Sequence, residues 1–313
     1  FFILIISVKN FDIINLNFKV GGIKMAVKIE NEKLFVTINE HGAELASLIN
    51  KSNGINYLWS GDSKYWGRKS PVLFPIEGAL KDGKMFVDGK EYHMGQHGFA
   101  RDMDFEVKKL TKESVCFELK SNTETLEKYP YEFIFRLVYE LKEETLVVRY
   151  EVENPSDSEM FFGLGAHPAF SVPLGEAAYD DYYLEITPEK TRKVLTLKGG
   201  LVDNINTIDG ESRLEISHDV FAKDAIIYDL GEEPTKFSLK NTKNNYGVEV
   251  FTPNSKFAGI WSSYPAKGQF VCIEPWWSLA DTVYTDGNFK EKFATNKLNG
   301  KESFDAYFEI TVF

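Results

Sequence analysis

The sequence predicts an all-β protein, a sandwich of large antiparallel sheets with few short helices. Long runs of β-branched and aromatic residues recur along the chain, and several alternate with polar residues. Helical periodicity is scarce by comparison. Aromatic content is 14%, from 25 Phe, 15 Tyr and 5 Trp. A thick sheet core or a carbohydrate cleft uses such rings, and core packing takes most of them.

The elements follow in chain order. Residues 34–38 read as a strand. Runs 85–87 and 90–92 flank Asp88-Gly89, a type I′ hairpin signal. Residues 121–129 read as a short helix, with Ser121 or Thr123 as its cap and Glu124 in the first turn. Residues 133–141 and 145–153 form a long hairpin across the polar connector Lys142-Glu143-Glu144, and Asn154-Pro155-Ser156-Asp157 closes it as a turn. Residues 225–228 and 247–251 add strands. Residues 306–312 alternate almost strictly, the pattern of a strand paired deep in a sheet. No repeat or linker divides the chain, so residues 25–313 read as one domain.

The first 24 residues read differently. The apolar run 1–7 is far shorter than the roughly 20 residues of a membrane span. It has no preceding basic region and no small-residue cleavage site. Gly21 to Met25 can be encoded by a stretch resembling a ribosome-binding site ahead of a start codon. Residues 1–24 are therefore expected to be a mistranslated or non-native leader, with Met25 the start. The rival reading is an extra β-segment over residues 11–20.

The chain has 313 residues, 36 Lys and Arg against 47 Asp and Glu, and a net charge of −11. That balance argues against a nucleic-acid partner, which needs a basic face. Only Cys116 and Cys272 are present, so there is no disulfide framework or CxxC metal knuckle, and a reducing, cytoplasmic setting fits. The five histidines are dispersed, with no HExxH or HxH, so no metal site is expected. P-loop, GxGxxG and serine-elbow motifs are absent too.

Three segments carry chemistry. Gln96-His97-Gly98-Phe99-Ala100-Arg101-Asp102 gathers a His, an Arg and an Asp at a loop or strand edge. In Gly163-Leu164-Gly165-Ala166-His167-Pro168, the proline biases His167 to extended backbone. In Cys272-Ile273-Glu274-Pro275-Trp276-Trp277, strand alternation places Glu274 on a face with Cys272 or at a strand end. Among Trp rings its pKa rises towards the range of a general base. Each has a plainer reading: a hydrogen-bonded structural histidine, a turn residue, a capping carboxylate.

Taken in order, these segments resemble a known family. Gly42-Ala43-Glu44-Leu45, Tyr57-Leu58-Trp59, Trp66 and Pro71-Val72-Leu73-Phe74-Pro75-Ile76 come first. His97 to Asp102, His167-Pro168-Ala169-Phe170, Asp224-Ala225 and Glu274-Pro275-Trp276 follow. The set resembles the aldose 1-epimerase (mutarotase) family, specifically its LacX-like branch, across residues 25–313. The resemblance implies a β-supersandwich and an isomerase that interconverts sugar anomers without a cofactor. It makes Glu274 the base and His167 the acid, with His97 bonding the ring or C1 oxygen. Arg68 resembles the family's substrate-binding arginine, and Asp224 is an acceptor for sugar hydroxyls. The His97–Arg101 string also resembles the hexose-6-phosphate branch, in which Arg101 grips phosphate. The plainer reading pairs Arg101 with Asp102 or Asp104. The implied partner is a small sugar or sugar phosphate, with no nucleic acid and no membrane. A non-catalytic sugar-binding protein is the alternative class. A glycosidase ranks low, because the sequence offers one strongly placed Glu and that chemistry uses two. Trp276, Trp277, Phe170 and Tyr264 remain open as the ring that stacks on the sugar.

Overall fold

The structure, a computed structural model, describes residues 26–209 and 212–313. The leader expected over residues 1–24, with its rival strand 11–20, lies outside the described residues. Two large antiparallel sheets dominate, as the alternating runs predict.

The nine-stranded sheet is built outward from the 303–312 region. Ser303–Val312 pairs with Thr145–Glu153 on one side and Val248–Thr252 on the other. Ile134–Lys142 closes the long hairpin onto Thr145–Glu153. Alternation decides which face is buried. Phe135, Leu137, Tyr139, Leu146, Val148, Tyr150, Phe308 and Ile310 all point inward. The register sets Tyr150 opposite both Leu137 and Ala306, and Val148 opposite both Tyr139 and Phe308. A one-residue slip would turn this whole set to solvent, at about 1.5–3 kcal/mol per large side chain. Most rings fill this core; Phe74, for example, stacks on Phe135 at 4.4 Å.

The second sheet has eight strands and carries the chemical segments. At its centre Phe270–Trp276 is buried on both faces. Phe257–Trp261 pairs with it on one side. On the other side two short strands, Gly165–Ala166 and Ala169–Ser171, pair with it in succession.

The Lys84–Val87/Lys90–His93 hairpin forms as predicted, with Asp88 at φ 50° and Gly89 at φ 78°. The short helix is Thr123–Lys128. Its cap is neither Ser121 nor Thr123. Asn122 accepts from the Thr125 amide at 3.0 Å, and Thr125 Oγ1 accepts from the Asn122 amide at 2.8 Å. Asn caps as well as Ser, and three residues on it meets a hydroxyl that can return the bond. Ser121 instead accepts from the Phe133 amide. Among the described residues no helix is long and apolar enough to cross a membrane.

Candidate active site

Sheet register brings His167 to Glu274. Gly165 pairs with Trp276, and Ala169 pairs with Cys272. The same antiparallel register places His167 opposite Glu274. Pro168 has no N–H for the ladder, so pairing breaks there, and its carbonyl accepts from the Ile273 amide instead. His167 Nδ1 lies 3.2 Å from Glu274 Oε2, yet neither atom makes an aligned hydrogen bond. Both side chains are buried, at 7% and 1% exposure. Alternation adds Cys272 and Trp276 to the face of Glu274.

Rings wall the pair. Trp66 stacks on His167 with centroids 4.7 Å apart, and Trp261 meets it edge-on at 5.6 Å. His97 meets it edge-on at 5.7 Å. Trp276 lies over Gly259, where a Cβ would come within 2.4 Å of the indole. Only glycine leaves that ring its place.

His97 is held by backbone. Its amide donates to the Gly78 carbonyl at 2.8 Å, and the Gly78 amide donates to its Nδ1 at 3.1 Å. Nδ1 is thus the acceptor, and in the neutral ring Nε2 carries the proton. The segment turns through left-handed backbone, with His97 at φ 67° and Gly98 at φ 73°. A Cβ on Gly98 would sit 2.3 Å from the Phe74 carbonyl oxygen.

The electrostatics favour neutral forms. Burial, and next the charges of Glu77 and Asp224, push the Glu274 carboxyl well above the ordinary carboxylate range. Burial and the Arg101 guanidinium pull His167 down to about 3. Burial, His167 and Arg101 hold His97 well below the ordinary imidazole range. The opposed shifts favour the form of the Glu274–His167 pair with its proton on the carboxyl over the form with it on the imidazole. Moving it to the imidazole produces a base beside an acid without changing the proton count.

The three segments meet at one cavity of about 360 Å³, whose lining includes Glu274, His167, His97, Arg101 and Asp224. That volume suits a small ligand. Arg101 Nη2 donates to the Gln96 carbonyl at 2.7 Å, while its Nε is buried with no hydrogen bond and lies 3.9 Å from Asp102 Oδ2, the pairing of the plainer reading. Arg68 is not among the lining residues. It donates to Asp102 Oδ1 at 2.5 Å and leans on the Arg101 carbonyl. Asp224, exposed at φ 79°, accepts from the Ala225 amide. Of the four candidate stacking rings only Trp276 lines the cavity. Trp277 and Phe170 are core residues, and Tyr264 is exposed.

Sequence reasoning missed three lining residues: Glu77, Trp66 as a wall and Trp261. It counted a single strongly placed Glu, and the cavity corrects that to two. Glu77 ends an apolar run, residues 71–76, as Glu274 ends residues 270–273. The signal that flagged one would have flagged the other. His167, Cys272 and Glu274 each offer a ligand atom, all within 4.8 Å of one another, a set suited to a thiophilic divalent cation.

Fold and site together define a large antiparallel β-sandwich with an acid–base cleft walled by aromatic rings. Comparison with known proteins gives the family. The aldose 1-epimerase family model matches residues 25–292, and the chain belongs to that family. It is 29% identical to the plasmid-encoded LacX protein of Lactococcus lactis over 300 residues, 92% of this chain and 99% of that protein. A galactose mutarotase related enzyme from Lactobacillus acidophilus superposes with a TM-score of 0.91 at 41% identity, covering 92% of this chain and 97% of its own. A galactose mutarotase-like protein from Lactobacillus casei gives 0.86 at 31% identity, covering 92% and 100%.

Proposed function

We propose that this protein interconverts the α and β anomers of a free aldohexose by opening and reclosing the ring. The observation that carries the reading is the Glu274–His167 pair, facing at 3.2 Å in the cavity with pKa values pushed in opposite directions. Glu274, raised, is a strong base once ionised. His167, lowered, is a strong acid once protonated. Glu274 takes the C1 hydroxyl proton while His167 protonates the ring oxygen, and the C1–O5 bond breaks. The C1–C2 bond rotates, O5 attacks the other carbonyl face, and both protons return. His97 Nε2–H donates to the ring or C1 oxygen. The Arg101 Nε–H and the Asp224 carboxylate orient hydroxyls, and Trp276 offers an apolar face. Arg68 acts indirectly, tying Asp102 to the Arg101 loop.

The second reading is a hexose 6-phosphate substrate, favoured by Arg101, which lines the cavity and whose Nε makes no hydrogen bond. Against it, Glu77, Asp224 and Glu274 share the cavity, and Arg68 is committed to Asp102. Polarimetry on freshly dissolved α-glucose and α-galactose, with NMR exchange on glucose 6-phosphate, tests both. Acceleration on a free sugar that Glu274→Gln abolishes supports the first reading. Acceleration on the phosphate alone supports the second. Silence on all three removes these sugars as substrates and points to a rarer sugar or a binding-only protein.

A further inference from the structure

Glu77 is a second carboxyl in the cleft that the reaction above does not use. We propose that Glu77 is a specificity-determining residue, receiving a sugar hydroxyl remote from the anomeric carbon. The inference rests on the sugar reading of the cavity.

Glu77 is 3% exposed, lines the same cavity as Glu274 and His167, and leaves Oε2 without a hydrogen-bond partner. A buried carboxyl oxygen left unsatisfied is costly, and a polar ligand relieves that cost. Its surroundings are shaped for it. A Cβ on Gly165 would stand 3.2 Å from its Cγ, and one on Gly163 would stand 2.8 Å from its amide nitrogen. Lys292, 6% exposed, lies behind the cavity. Its Nζ donates to the Leu279 carbonyl and sits 3.8 Å from Asp281 Oδ1. Asp281 in turn accepts from the Lys81 amide at 2.9 Å. Lys292 is therefore engaged by Asp281 and the Leu279 carbonyl and makes no hydrogen bond to Glu77 Oε2. Burial outweighs Lys292 and the Ala280 amide, and Glu77 is pushed up to about 8. Near neutrality such a carboxyl both donates and accepts, which matches a hydroxyl. Glu274 and His167 serve the anomeric centre, so Glu77 is left for another position on the ring.

The test pairs Glu77→Leu and Glu77→Gln with a panel of glucose, galactose and their monodeoxy analogues, with anomer exchange read by NMR. Glu77→Leu should raise KM for the best parent sugar on the order of ten- to a hundredfold, the scale of one buried hydrogen bond, with kcat changed severalfold at most. One deoxy sugar, lacking the hydroxyl Glu77 receives, should show the same KM in wild type and Glu77→Leu. Glu77→Gln keeps an acceptor and a donor and should restore KM to within about threefold of wild type. Urea unfolding of each variant checks that it is folded; if Glu77→Leu is not, the same cycle run on Glu77→Gln and the deoxy sugars decides. An unchanged KM in an active Glu77→Leu protein overturns the inference alone. So does an equal penalty on every sugar, which a merely structural role would give. A wild type inert on the whole panel overturns the inference together with the sugar reading.

Discussion

Glu274→Gln should make the protein inactive and, near neutrality, more stable. Burial holds the folded-state pKa of Glu274 well above 4.5, the value near which the unfolded chain ionises it. A raised folded pKa means that the folded state binds the extra proton between the two values. Wild-type stability is therefore lost as pH rises through that window, by about 1.4 kcal/mol per pH unit. Glutamine is neutral in both states and removes that slope. Little is given up in exchange, because Oε2 has no hydrogen bond to lose, and His167 Nδ1, unpartnered 3.2 Å away, can accept from the new amide. The stability gap should widen in favour of the variant as pH rises from 5 towards the raised Glu274 value, by at most about 1.4 kcal/mol per pH unit. Loss of the base should slow epimerisation by about 10²–10⁴-fold, roughly 3–5 kcal/mol of barrier. Urea unfolding followed by tryptophan fluorescence at pH 5, 6 and 7 reads the first quantity, and polarimetry reads the second. A gap that stays level from pH 5 to pH 7 would mean that Glu274 is already ionised in the fold. A rate within threefold of wild type would remove it as the base.

Three further outcomes follow from the same geometry. The kcat/KM profile should fall on the acid side near the His167 value of about 3, as the pair takes a second proton; a limb near 6.5 would show His167 titrating as an ordinary imidazole. Gly98→Ala should lower unfolding free energy by about 2–4 kcal/mol, since its Cβ would press on the Phe74 carbonyl in left-handed backbone; a loss under about 0.5 kcal/mol in urea unfolding would contradict that contact. Added Zn²⁺ should inhibit the wild type reversibly by bridging His167, Cys272 and Glu274. Cys272→Ser should weaken that inhibition at least tenfold without changing the metal-free rate, and equal Zn²⁺ sensitivity would exclude the thiolate as a ligand.

The elements were legible wherever period and turn chemistry agreed. The alternation in residues 306–312 marked the central strand Ser303–Val312, and Asp88-Gly89 marked its hairpin. The helix cap was misplaced by one residue, because Ser121, Asn122 and Thr123 all suit the role and only the Thr125 hydroxyl chooses among them. Within the site, His97, His167 and Glu274 stood out because each breaks an otherwise apolar or glycine-rich context. Glu77 ended a similar run and was passed over. Arg68 looked like a cleft residue from its neighbours, yet its charge went to Asp102.

By itself, then, the sequence determined the β class, the alternating faces and the residue types capable of acid–base chemistry. Those depend on local period and on side-chain chemistry, which are written in neighbouring positions. Tertiary structure alone decided which of those residues meet. His167 faces Glu274 because two short strands hold one register across Pro168 against Phe270–Trp276. Trp66 and Trp261 close around them from other segments. The opposite directions in which the Glu274 and His167 pKa values move come from the burial and the neighbouring charges that this convergence creates.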